Sequence, residues 1–136
     1  MVRVFLADDD PDVRSMLAAV LRRAGHEVHE ASDGTADPGH DVDVCLTDVF
    51  MPDADGLEFL TRLRARSPGL PVIVMTGDPF FRGMDVITVA RQLGARDVLL
   101  KPIHPQTLAD AVAAAGRRTA AVLPPLATVG SGRAQP

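Results

Sequence analysis

Tryptophan and tyrosine are absent, so any aromatic recognition surface must rest on five Phe. A single cysteine, Cys45, excludes an internal disulfide and fits a reducing cytosol. It lies inside an apolar run, where cysteine packs as a small hydrophobe. No apolar stretch reaches the roughly 20 residues of a membrane span. The N-terminus enters a strand pattern at once, so no signal peptide is expected. Basic charge is also short: 14 Lys+Arg stand against 18 Asp+Glu, a net charge of -4. With no basic stripe, nucleic-acid binding is disfavoured, because a phosphate backbone demands clustered Lys and Arg. The expectation is a cytoplasmic domain with neither a nucleic-acid nor a membrane partner. At 136 residues, 46 % hydrophobic, the chain can bury a sizeable core.

Short apolar runs bounded by turn residues occupy 2–7, 42–48, 72–76 and 98–100 and read as buried parallel strands. Residues 27–31 alternate and suit an edge strand. Between them, Val13, Met16, Leu17, Val20 and Leu21 repeat at helical spacing. Asp10 is the expected N-cap, Pro11 the first-turn proline and Gly25 the stop. Further helices are expected from Asp55-Gly56 to before Ser67, up to about residue 93, and from Pro105. Residues 77–83 read as a loop. The pattern β-α-β-(short)-β-α-β-α-β-α predicts a doubly wound α/β fold, with helices on both faces of a five-stranded parallel sheet. The domain is expected to end at 116. Residues 117–136, rich in Ala and Pro, read as a flexible tail.

Chemistry in such a sheet collects at the carboxyl ends of the strands. Those ends carry Asp8-Asp9-Asp10, Asp48, Thr76 and Lys101-Pro102. Close carboxylates repel and raise one another's pKa, and a divalent cation resolves the conflict. Mg²⁺ accepts a few carboxylates and keeps several waters. Asp48 then suits the role of nucleophile toward a phosphoryl donor, with Thr76 donating to one phosphoryl oxygen and Lys101 pairing with another.

The segments VFLADDDPDVR, LTDVFMPDADG, VIVMTG and GARDVLLKP resemble, in order and spacing, a two-component response-regulator receiver domain. The resemblance covers roughly residues 2–116. It implies a flavodoxin-like strand order 2-1-3-4-5, with Asp48 as the phosphoacceptor. Asp8 and Asp9 become the acidic pair, with Asp9 the closer ligand of Mg²⁺ or Mn²⁺. The backbone carbonyl of Phe50 completes the protein ligands. Thr76 matches the switch hydroxyl and Lys101 the lysine before a cis proline. A sensor histidine kinase or a histidine phosphotransfer protein is the implied donor, and a downstream protein the receiver of the signal. No enzyme activity is implied beyond self-catalysed transfer to Asp48 and hydrolysis from it. Three departures stand out. Val98 occupies the usual place of a switch aromatic. The segment 34–41 is short, so the second helix is expected to shrink to a loop or single turn. The stretch 76–94 is long and carries GDPFFRGMD.

The other motifs carry plainer readings. Asp53-Ala54-Asp55-Gly56 suits a turn and cap better than a calcium loop, and Asp33-Gly34-Thr35 suits a turn. Arg14 and Arg62 read as solvated helix faces. His26, His29, His40 and His104 share no ligand spacing. Phe80 and Phe81 fit either core or a partner patch. The leading function is a stand-alone phosphorylation switch, monomeric or weakly dimeric, that signals by protein contact. The alternative is a receiver-fold binding module that no longer switches by phosphorylation. A phosphohydrolase ranks below both, since no further general base or substrate cap is visible.

Overall fold

Alternation along each strand sends successive side chains to opposite faces, and the chain uses this to build two cores. The computed structural model describes residues 1–32, 38–39, 41–49 and 56–128, with 117–128 as backbone alone. In chain order the elements are β1 (Arg3–Ala7), α1 (Pro11–Arg23), β2 (Glu27–Ala31), β3 (Val44–Asp48) and α2 (Gly56–Arg66). Then come β4 (Val72–Thr76), β5 (Phe80–Phe81), β6 (Met84–Asp85), α3 (Val86–Gln92), β7 (Asp97–Leu100) and α4 (Pro105–Thr128). The main sheet is parallel with order β2-β1-β3-β4-β7. Its five strands and their order are those expected, with the hairpin β5-β6 added outside the sheet.

Val4, Leu6, Val44, Leu46, Ile73, Met75 and Leu99 face α1 and α4, where Leu17, Leu21, Leu108 and Val112 meet them. Phe5, Cys45, Val72 and Val74 face α2 and α3, against Phe59, Leu60, Leu63, Val86 and Ala90. Burying each such large side chain is worth about 1.5–3 kcal/mol. Helix α1 begins as expected. The Asp10 carboxylate accepts from the N–H groups of Asp12 at 3.0 Å and Val13 at 3.2 Å, and Pro11 needs no partner for its nitrogen.

Several expectations change. Residues 77–83 are not a plain loop, since Phe80 and Phe81 pair antiparallel with Asp85 and Met84. Arg82 and Gly83 turn the hairpin with φ of 50° and 79°. Two consecutive positive φ values match the right-handed twist of a two-residue hairpin. Helix α4 continues through Gly116 to Thr128, so the first part of the expected tail is helical. Its Ala-rich composition carries high helix propensity, which prevails over the Gly and Pro residues in this stretch. Among the described residues, no helix lies between β2 and β3. The expected turns at 33–35 and 53–55 and the end of the tail at 129–136 lie outside the described residues.

His26 also departs from a simple surface placement. Its Nδ1 accepts from the Val2 N–H at 3.1 Å, which requires a ring nitrogen without a proton. Burial holds its pKa below the ordinary 6.5. The folded state therefore favours neutral His26. Its contribution is complete above pH 6.5 and is lost as pH falls through the folded pKa. His26→Gln, which cannot titrate, is expected to flatten this part of the profile. Thermal melts from pH 8 to 5 should show the wild type losing more stability than the variant below about pH 6.5.

Candidate functional site

Strands β1 and β3 lie side by side at the point where the strand order reverses, and their carboxyl ends open on one crevice. Asp8 follows β1, Asp48 ends β3, Thr76 ends β4 and Lys101 follows β7. All four are brought to one edge of the sheet, as the strand pattern predicts. Asp8 and Thr76 are fully buried and Asp48 nearly so.

Lys101 Nζ lies 2.8 Å from Asp8 Oδ2 and 3.3 Å from Asp48 Oδ2. Its ammonium thus bridges carboxylates from two strands. The Val49 N–H donates to Asp48 Oδ1 at 2.9 Å and the Asp10 N–H to Asp8 Oδ1 at 3.0 Å. Burial pushes the Asp48 carboxyl above its ordinary pKa. Lys101 opposes that shift, Asp8 adds to it, and the net direction is up. Burial alone would lower the Lys101 pKa. The hydrogen bond to Asp8 and the charges of both acids outweigh it, and the ammonium is held more tightly than usual.

Asp9 is exposed and brings a third carboxylate. One oxygen each from Asp8, Asp9 and Asp48 lie within 4.8 Å of one another. One ammonium cannot balance three carboxylates, so this hard-oxygen set suits a small divalent cation. Phe50, the expected carbonyl ligand, lies outside the described residues. The Lys101-Pro102 peptide is cis, as expected.

The Thr76 hydroxyl is engaged away from Asp48. It donates to the Asp78 carbonyl at 3.0 Å and accepts from the Asp78 N–H at 3.0 Å. Asp78 Oδ1 in turn accepts from the Phe80 N–H at 3.2 Å. This chain of bonds leads from the site to the hairpin, and Phe80 is 68 % exposed while Phe81 is half-buried against the second core. Val98 is half-buried against the same core.

A family model for the response regulator receiver domain matches residues 4–113. The chain belongs to that family. This receiver domain is 33 % identical to the transcriptional regulatory protein TcrA of Mycobacterium tuberculosis, over 99 % of the chain and 54 % of that protein. It is 38 % identical to the transcriptional regulatory protein FixJ of Azorhizobium caulinodans, over 86 % of the chain and 56 % of that protein. The chain thus spans about half the length of these relatives. A response regulator receiver domain protein from Clostridium thermocellum superposes with a TM-score of 0.82 at 26 % identity, covering 90 % of this chain and all of that one.

Sequence reading missed Arg14. It is no solvated helix face: its guanidinium donates to the Asp8 carbonyl at 2.8 Å and lies 3.4 Å from Glu30. Arg62 instead stacks over the Phe59 ring at 5.2 Å. The Arg62 partner lies three residues back on the same helix, as helical spacing allows, whereas the Arg14 partners depend on how α1 sits on the sheet.

Gly56 packs directly on the backbone of the acid strand. Its N–H donates to the Val49 carbonyl at 2.6 Å, and a Cβ there would collide with the Asp48 carbonyl and stand 2.7 Å from the Val49 Cα. Gly56→Ala is expected to destabilise the fold by about 1–3 kcal/mol through overpacking. Denaturant titration would read this as a lower midpoint with an unchanged slope.

Proposed function

We propose that this receiver domain accepts a phosphoryl group on Asp48 from a sensor histidine kinase or a histidine phosphotransfer protein. The observation that supports this best is the Lys101 ammonium held between Asp8 and Asp48 at 2.8 and 3.3 Å. Asp48 then attacks phosphorus, forming the P–O bond as the P–N bond to the donor imidazole breaks. Lys101 passes from the Asp48 carboxylate toward a phosphoryl oxygen and remains anchored by Asp8. Thr76 leaves Asp78 and donates to a second phosphoryl oxygen. Asp8, Asp9 and Asp48, with the Phe50 carbonyl, would hold Mg²⁺ or Mn²⁺, which when bound supplies charge that offsets the phosphoryl oxygens. Catalysis is limited to this self-transfer and to hydrolysis of the acyl phosphate.

Intact mass after acetyl phosphate with Mg²⁺ is expected to show one added phosphoryl group on the wild type. Omitting Mg²⁺ or substituting Asp48→Asn should remove it. Labelling of Asp48→Asn as strong as that of the wild type would overturn the assignment.

Signal output in this reading passes by protein contact across α3, β7, α4 and the hairpin, in a cytoplasmic monomer or weak dimer. Exposed Phe80 and Leu100 provide apolar anchors beside the site. With Val98 in the aromatic position, a ring rotation cannot report on Thr76. The hydrogen bonds from Thr76 through Asp78 to Phe80 support the hairpin as the two-state element instead. Hydrogen exchange is expected to change across residues 77–93 on phosphorylation while residues 13–21 stay constant, and Phe81→Ala should blunt the accompanying rise in partner affinity. Identical exchange in both states would favour the second reading, a constitutive binding module, which Val98 also supports.

A further inference from the structure

Asp9 must point its carboxylate at the cation from an exposed position, where packing does little to aim it. The preceding peptide places its Cα, from which the carboxylate must reach, because the Asp8–Asp9 unit is planar and moves as one plate. That plate is held by its carbonyl. Arg14 Nη1 donates to the Asp8 carbonyl oxygen at 2.8 Å, and the Asp8 N–H is tied to the Ala31 carbonyl at 3.1 Å. Arg14 is itself tethered, with Nε 3.4 Å from Glu30 Oε1 and only a fifth of its side chain exposed. Glu30 has a second partner, Arg22, at 3.1 Å, and Arg22 also donates to the Val28 carbonyl at 3.0 Å. The two arginines of α1 therefore divide their work. Arg22 fastens the helix to β2, and Arg14 reaches past β2 to the acidic turn.

We propose that Arg14, braced by Glu30, is a positioning residue that fixes the Asp8–Asp9 peptide and so aims Asp9 at the divalent cation. The proposal rests on the reading of Asp8, Asp9 and Asp48 as the cation site. Charge and position predict opposite signs here. Arg14 is a cation near a cation site, so its removal on electrostatic grounds alone tightens metal binding, by about twofold or less through screening solvent. Loss of positioning weakens it. Groups that orient metal ligands from behind typically contribute about 10–100-fold in affinity, and Arg14 acts through the main chain, which points to the lower end.

Mn²⁺ affinity, measured by the paramagnetic resonance of the free ion, and melting without metal separate these cases. Arg14→Ala is expected to weaken Mn²⁺ binding about tenfold with a small change in melting, because Arg22 still holds Glu30. Arg22→Ala is expected to lower the melting temperature and leave Mn²⁺ affinity unchanged. Arg14→Lys, with one donor group, and Glu30→Gln, which slackens the tether, should fall between wild type and Arg14→Ala. These two carry the test if Arg14→Ala does not fold. Unchanged or tighter Mn²⁺ binding across the Arg14 and Glu30 variants overturns the proposal while leaving the cation site intact. A wild type that does not bind Mn²⁺ overturns both.

Discussion

Two carboxylates buried side by side are unstable unless a cation joins them, and Lys101 is the cation that this fold supplies. Asp8 and Asp48 come from neighbouring strands and would repel in the absence of the ammonium at 2.8 and 3.3 Å. Removing one member of such a buried set leaves an uncompensated charge, which costs more than the set contributes when whole. The arrangement also leaves a surplus of negative charge once Asp9 is counted. Burial of its charge is the main reason that the Asp48 pKa is raised.

Around this site the backbone is unusually well determined. The Asp8 N–H and carbonyl are both bonded, the Asp48 carboxylate is held by the next N–H, and Gly56 lies against the Asp48 carbonyl. The Lys101 N–H donates to the Thr76 carbonyl at 2.8 Å. These bonds fix the main chain on both sides of the buried carboxylates, which is what a site that works by position requires. The Thr76 hydroxyl, in contrast, is committed to the Asp78 backbone.

Asp78 joins Thr76 to the hairpin through the Phe80 N–H. Arg82 holds a positive φ of 50°, a conformation that disfavours a side chain, and its guanidinium lies 5.1 Å from the Phe81 ring centre. The hairpin is short, with positive φ at its turn and an exposed Phe80, features of low local stability.

Much of the architecture was legible in the sequence because it depends on local rules. Short apolar runs marked four strands and alternation at 27–31 the fifth, Asp10-Pro11 marked a helix start, and residues at strand ends marked the candidate site, since a parallel sheet gathers those ends whatever fills its core. Partners between elements were not legible. Arg62 over Phe59 is an i,i+3 pair within α2, but nothing in the spacing of α1 directs Arg14 to the Asp8 carbonyl and Glu30. His26 became a neutral acceptor only through burial beside Val2. Hairpin pairing at Phe80–Asp85 required positive φ at Arg82, which no propensity announces for arginine. Spacing along the chain determines which residues can share a face, but only tertiary packing decides which of them lose water, and with that loss which hydrogen bonds and charges must be answered.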